Sequence, residues 1–456
     1  MKKNSTLVVH RIRHSDFSQP RSGMDGRVFL NDAPTPTLKP VAPGIAWAVG
    51  IALTLLTCMT AVDDSVSLYL FYGFCLAGLL KIAKDGLCIP FSEAEKTGFA
   101  LLAVFFLVSL LSYWINQMPG KGGIYVEGRH GKFLFAILAY LFFRSVYLPD
   151  RVIWISAAVS AVFYGIVGLI DLNTVGGFGW PGRASLNTHP IFFGMISLSM
   201  GMLLLCYHDF WSQRPGAAWL ARLAILGALG GLLMSGSRSV WLALPPMVVI
   251  YLVSRRHDRL RIRHVLKAVG AVLLACVLLY QLPFVNQRWH EAAAEYSGYM
   301  ASENANDPVR GTSLGNRLEM WRAALRMIAE NPLLGVGPGG YQVTATRYVE
   351  EGGWAPRLQT RNGPHNQYLQ AWAARGLPGL LSTVLLMLAP VVYVISLRRR
   401  HPALDLRALS LSVMMIVTVF AVTGLSDDSL QKKPLIVFYC TWLALLLGQA
   451  RHRTQD

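Results

Sequence analysis

A chain of 456 residues with 53% hydrophobic and only 15% charged side chains falls outside the ordinary soluble class, where roughly a quarter of residues are charged. Its formal charge of +17 would suit a nucleic-acid binder, but the positive residues flank apolar blocks, the arrangement that orients a membrane protein. The six cysteines (Cys58, Cys75, Cys88, Cys206, Cys276, Cys440) lie in or beside apolar segments with no CxxC or Cys/His cluster, which argues against a disulfide framework and a structural zinc.

Taken in order, residues 1–41 are polar and basic (Lys2, Lys3, Arg11, Arg13, Arg21, Arg27), so a cytoplasmic segment is expected rather than a cleavable leader. Apolar blocks such as Trp47–Thr60, Phe99–Tyr113 and Phe133–Phe143 then recur, and a hydrocarbon layer about 30 Å thick needs runs near 20 residues. Spans are predicted at 42–61, 65–84, 97–115, 132–148, 152–171, 189–207, 217–235, 239–254 and 264–282, then 377–397, 405–425 and 433–450. The fold class is an all-α polytopic bundle of about twelve transmembrane helices.

Orientation follows the Lys/Arg bias. The densest basic run is Ser254–Lys267, Arg398–Arg400 is a second, and Arg451 and Arg453 mark the tail. These share a side with the basic N-terminus, giving N-in and C-in. The connections after Ala61 and Gly424 carry paired acids on the other side. The long connection 283–376 is then periplasmic. Within it Arg317–Glu330 predicts an amphipathic helix with Leu318, Trp321, Leu325 and Ile328 on one face, stopped by Asn331-Pro332.

Charges at the mouth of a bundle need a reason. Arg238 on the outer face runs against the orientation bias, where the bland reading is a snorkelling side chain. Arg183 is similar, and two guanidiniums suit a pyrophosphate. His365, between a Gly-Pro turn and apolar and amide residues, is a fair general base or simply a structural histidine. Asp427 and Asp428 are supporting acids or solvated loop, and Asp63 and Asp64 read as solvated. The GxGxxG at Gly335–Gly340 follows no strand and reads as a tight turn rather than a dinucleotide site. His290-Glu291 lacks a second zincin histidine.

Three motifs in order resemble the O-antigen ligase and O-antigen polymerase superfamily: Ser235-Gly236-Ser237-Arg238 at a span start, Pro332–Gly337 with Tyr341 in the long loop, and His365-Asn366-Gln367-Tyr368-Leu369 with Gly376-Leu377-Pro378-Gly379. The resemblance implies a GT-C-like inner-membrane glycosyltransferase moving a polysaccharide from undecaprenyl pyrophosphate to an acceptor at the periplasmic face. It is closest to the ligase that builds lipopolysaccharide on lipid A-core. It implies pyrophosphate binding by Arg183 and Arg238, base catalysis by His365, and support from Asp427 or Asp428, Asn366 and Tyr341. No cofactor, metal or nucleic acid is required. A polymerase, a protein oligosaccharyltransferase and, in another class, a transporter remain alternatives. The orientation is tested by reporter fusions: cytoplasmic after Arg263 and periplasmic within 300–360 are expected, and both on one side would overturn it.

Overall fold

The structure is a computed structural model that describes residues 42–85, 90–116, 121–173, 182–256, 263, 265–267, 269–271, 273–274, 281, 283–302 and 304–454. The segment 1–41, Cys88, Cys276 and most of the span at 264–282 lie outside these residues. Among the described residues every regular element is helical. The α-helices longer than four residues are α1 (Pro43–Val62), α2 (Asp64–Asp85), α3 (Glu93–Asn116), α4 (Lys121–Ser145), α5 (Asp150–Asn173), α6 (Pro190–Cys206), α7 (Pro215–Met234) and α8 (Leu244–Arg256), then α9 (Pro283–Ala301), α10 (Ser313–Glu330), α11 (Gly340–Glu351), α12 (Gln367–Arg400), α13 (Arg407–Thr423) and α14 (Lys433–His452).

Seven of them, α1, α2, α3, α5, α7, α12 and α14, are long and apolar enough to cross a membrane, and α6, α13 and Arg238–Ser254 are shorter apolar helices. Leu107, Leu111, Leu226, Leu233 and Leu388 are more than half exposed along them, an apolar surface that only a lipid environment tolerates on this scale. Pro245 and Pro246 sit in the first turn of α8, where missing amides cost nothing.

The bundle is built around α14, which is buried along most of its length. It packs on α4, α13 and α2. Its Trp442 indole donates to Thr57 Oγ1 of α1 at 3.0 Å, and Gln449 joins Leu148 N to the carbonyls of Phe143 and Val146. Helices α5 and α7 cross where a Cβ on Gly165 would lie 2.6 Å from Gly227 Cα, the close backbone approach that membrane helices use in place of a hydrophobic driving force. The thiols of Cys58, Cys75, Cys206 and Cys440 are free and buried.

Helices α10 and α11 form a second, smaller core. Met320, Ala323, Ala324, Met327 and Ile328 pack with Tyr341, Ala345, Tyr348, Trp354 and Leu358. The amphipathic helix is therefore observed, capped by Thr312 Oγ1, which accepts from Gly315 N, but its buried stripe differs from the expected one. Leu325 is exposed, and Leu318 and Trp321 are half-buried. Small and flexible residues let α11 pack closely on that stripe, leaving the Arg317–Trp321 face turned elsewhere.

This smaller core is seated on α12. The helix starts at Gln367, ten residues before the predicted span, because Asn366 Oδ1 caps it by accepting from the amides of Tyr368 and Leu369 at 3.0 Å. At Gly376 it breaks, with φ 65° and ψ −169°, a region open essentially to glycine alone. A Cβ there would collide with the Leu333 carbonyl. The break leaves the carbonyls of Ala373 and Ala374 without helical donors, and Val336 N and Gly337 N supply them at 2.8 and 2.9 Å. Ser112 of α3 adds a bond to Ala374 O at 3.0 Å, and Leu377 N donates to Pro332 O at 2.9 Å. The glycine-rich turn at 335–340 thus docks a loop, as the absence of a preceding strand indicated. Gly376→Ala is expected to lower the unfolding temperature in detergent, from backbone strain of about 1–3 kcal/mol plus the clash. Gly216→Ala, where a Cβ meets open space, is the control. Equal melting of the two variants would contradict the docking role.

Candidate active site

His365 stands where the 352–366 stretch rejoins α12. Its φ is +49°, a conformation that non-glycine residues adopt where the surroundings enforce it. The enforcement is visible on both flanks. Trp321 Nε1 donates to Pro364 O at 3.0 Å. Beyond the histidine, Asn366 Nδ2 donates to Leu425 O at 2.9 Å and Gln367 N to Gly424 O at 2.7 Å. Leu430 N returns a bond to Gln367 Oε1 at 2.8 Å. The histidine is thereby fixed against the connection between α13 and α14.

That connection carries both acids. Asp427 and Asp428 are buried, 3% and 6% exposed, so they are not solvated loop charges. His365 Nδ1 lies 3.6 Å from Asp427 Oδ1 and 3.8 Å from Asp428 Oδ1. Lys432 Nζ pairs with Asp428 Oδ1 at 3.0 Å, and Ser429 Oγ donates to Asp427 Oδ2 at 3.1 Å. Burial pushes the Asp427 carboxyl up, but the hydrogen bond from His365 and the charges of Lys432 and His189 outweigh it and hold the group below its usual value. The Nδ1 edge of the imidazole thus faces the two acids, while the His365 side chain is 43% exposed. His365, Asp427 and Asp428 also offer three metal-ligand atoms within 4.8 Å of one another, but the Lys432 ammonium already neutralises Asp428 and competes with a cation.

The arginines gather beside this pair. Arg183 reaches across to the turn between α7 and α8, donating from Nε to Ser235 O at 2.9 Å and from a terminal nitrogen to Ser237 Oγ at 3.1 Å. Gly236, at φ 57°, lies against its guanidinium. Arg238 opens the one-turn helix that follows and is exposed. Burial, then Arg238 and Arg317, draw the Arg183 pKa down. Burial also draws Arg317 down, opposed by Asp427 and reinforced by Arg238. Arg317 of α10 is thus a third guanidinium within electrostatic reach of the acid and of the other two. It was not among the residues expected. The signal available in the sequence was its place one turn before Trp321, on a face that the apolar stripe does not use.

His189 was also missed. It caps α6, with Nδ1 accepting from Ile191 N at 3.3 Å, and Asp427, Arg183 and His365 all act on it. The His-Pro pair ahead of an apolar run was the only trace of this. Tyr341, expected to support the site, is instead buried in the smaller core, donating to Met320 O at 2.8 Å; the structure does not bring it to the cluster. Asn366 acts as the helix cap beside His365.

Residues 223–384 match the family model described as O-antigen ligase. That stretch holds Arg238, Arg317, His365 and Asn366, while Arg183, His189 and the two acids come from outside it. The resemblance to the O-antigen ligase and polymerase superfamily therefore stands on a family model as well as on short motifs. The family is one of membrane glycosyltransferase-like enzymes, and it points to activity of the ligase or polymerase type in a multi-pass inner-membrane protein. An uncharacterized protein of Haemophilus influenzae is 27% identical over 314 residues, covering 68% of this chain and 75% of its own length.

The His189 environment makes stability depend on pH. Burial lowers its pKa to about 4, with Asp427 opposing and Arg183 reinforcing, against about 6.5 when unfolded. Between those values the unfolded chain binds the extra proton, so stability falls as pH drops through the window. Asp427, held below its usual value, retains its charge there. His189→Asn keeps a capping acceptor without the titration, so its melting temperature should fall less than the wild type's between pH 6.5 and 4. Parallel curves would show that His189 is not held neutral.

Proposed function

We propose that this protein is the O-antigen ligase, transferring polysaccharide from undecaprenyl pyrophosphate to the lipid A-core oligosaccharide on the periplasmic face. The observation that carries the reading is the pairing of His365 with a buried aspartate beside three arginines, across the segment matching the ligase family. The acceptor hydroxyl oxygen attacks the anomeric carbon, and the C–O bond to pyrophosphate breaks. The hydroxyl proton passes to His365 Nε2. Asp427 orients the ring and stabilises the imidazolium, as an acid behind a catalytic histidine does. Arg183, Arg238 and Arg317 take the charge that grows on the leaving pyrophosphate. The donor is already activated, so no nucleotide is needed. Holding two lipid-borne substrates together supplies much of the rate, with proximity worth about 7–11 kcal/mol.

The reading includes topology. Helices α1–α8, the stretch 264–282 and α12–α14 make twelve crossings with both termini inside and 283–366 outside. The acids, histidine and arginines then share the periplasmic mouth. A polymerase would use the same donor with a second lipid-linked glycan as acceptor, and a protein oligosaccharyltransferase would use a side-chain hydroxyl. A transporter would carry such groups at midplane, whereas these meet where helices begin or end.

In a deletion strain, ligase function predicts polymer-free core with lipid-linked polymer accumulating; single-repeat capped core would indicate the polymerase. In a purified transfer assay, His365→Ala and His365→Gln should lose about 100- to 10,000-fold while still binding donor. Wild-type turnover by either removes the base from His365, and loss of donor binding would make it a pyrophosphate ligand. Arg183→Ala, Arg238→Ala and Arg317→Ala should each abolish most transfer in folded protein. Lysine should restore only part, because a point charge cannot hold two phosphate oxygens side by side. Full activity of an alanine variant would return that arginine to a structural or snorkelling role.

A further inference from the structure

A groove of about 710 Å³ adjoins the arginine site, lined by Val62, Asp63, Asp64, Asn187, Thr188, His189, Phe192 and Pro434. It lies between the α1–α2 connection, the loop before α6 and the start of α14, and nothing in the proposed chemistry uses it. Three features define what it can hold. Its volume falls within the roughly 300–1,000 Å³ of small-ligand sites. Its polar groups are mainly hydrogen-bond acceptors and amides: two carboxylates, an asparagine and a threonine hydroxyl. One apolar ring, Phe192, stands 5.6 Å from the His189 ring.

The walls are held in place. Asp63 Oδ1 accepts from Ser65 N at 2.8 Å at the start of α2, and Asp64 pairs with Lys433 at 2.9 Å. Asn187 ties the loop to α1, with its amide donating to Ala61 O and its side chain to Val62 O at 2.9 Å. Behind them Asp171 Oδ2 accepts from Ser185 N and Leu186 N at 2.7 and 3.0 Å. A preorganised wall of this kind loses little freedom when a ligand arrives.

The charge pattern separates this groove from the pyrophosphate site. Three arginines lie in reach of the cluster, whereas the groove's lining carries two carboxylates and no cation, Asp64 being paired with Lys433 and within reach of Lys132. A phosphate is favoured among the arginines and repelled by the acids, while sugar hydroxyls donate well to carboxylates. His189 lines the groove and stands within electrostatic reach of Asp427, Arg183 and His365. Displacement at the anomeric carbon brings the nucleophile from the side away from the leaving pyrophosphate, so the acceptor needs a binding surface that is next to the base and is not the arginine cluster.

We propose that this groove is the acceptor subsite, taking an unphosphorylated, hydroxyl-rich sugar unit whose reacting hydroxyl is delivered to His365. The inference rests on the glycosyl-transfer reading above. Its test uses the purified full-length protein, undecaprenyl-pyrophosphate glycan as donor and polymer-free lipid A-core as acceptor, with the KM for each measured separately. Asp63→Asn keeps the bond to Ser65 N and removes the charge, Asp63→Lys reverses it, and Val62→Trp fills the groove. The acceptor KM should rise about tenfold in Val62→Trp and Asp63→Lys, equivalent to roughly 1.4 kcal/mol, and less in Asp63→Asn. The donor KM and the melting temperature should stay at the wild-type values. An acceptor KM unchanged in both Val62→Trp and Asp63→Lys overturns the assignment, as does a rise in donor KM matching that for acceptor. A wild-type protein that extends only lipid-linked glycan defeats the ligase reading instead; the same variants then overturn or sustain the subsite with that glycan as acceptor.

Discussion

Backbone carbonyls freed inside a protein that lipid surrounds must find donors within the chain, because hydrocarbon offers none. The break in α12 at Gly376 creates such carbonyls, and the amides of Val336 and Gly337 answer them. Much of the rest depends on this exchange. It seats the loop that carries α10 and α11, and α10 places Trp321 against Pro364 and Arg317 near Asp427. His365, held at a positive φ between these contacts and the α13–α14 connection, is positioned by the same docking.

Opposite charges are brought together at low solvation, and each helps to offset the cost of burying the other. Asp427 would be expensive to bury alone. It retains its charge because the His365 ring and the Lys432 ammonium lie beside it. Burial lowers the pKa of Arg183 and Arg317, and the arginines add to this by crowding one another. Cations that repel one another when the site is empty are a suitable receptor for a doubly charged group. A bound pyrophosphate would relieve that repulsion as well as adding bonds. At the other end of the bundle Glu95 is enclosed by Arg144, Arg451 and the Tyr140 hydroxyl, so buried charge there is compensated within the chain and leaves no comparable excess.

Part of this was legible beforehand. Long apolar runs can only be membrane helices, and α1, α2, α3, α5, α7 and α14 fall where those runs lie. The histidine and two arginines were marked because charge is conspicuous against so apolar a background, and the motif order carried the resemblance to a family. The span predicted from 377 begins at the break in α12, whereas the helical turns before it, at 367–375, went unmarked because they are too polar to resemble a span, yet Asn366 caps them as helix. The buried stripe of α10 was misread because Leu325 and Trp321 outrank alanine on hydropathy, whereas close packing against α11 favours small residues such as Ala323 and Ala324.

What the sequence by itself determined was the solvent in which the chain folds, the approximate places of its helices, and a short set of residues too polar to be idle. Those follow from local composition, which the hydrocarbon layer reads directly. Only the tertiary structure decided which of those residues meet. Arg183, Arg317, His365 and Asp427 lie on four separate segments, and no local pattern encodes the distance between them. Arg317 and His189 carried only faint signals, while Tyr341 carried a stronger one and lies in the smaller core. Asp63 and Asp64 read as ordinary solvated charges until the packing of α1, α6 and α14 made them the wall of a groove, because proximity between distant segments is a property of packing.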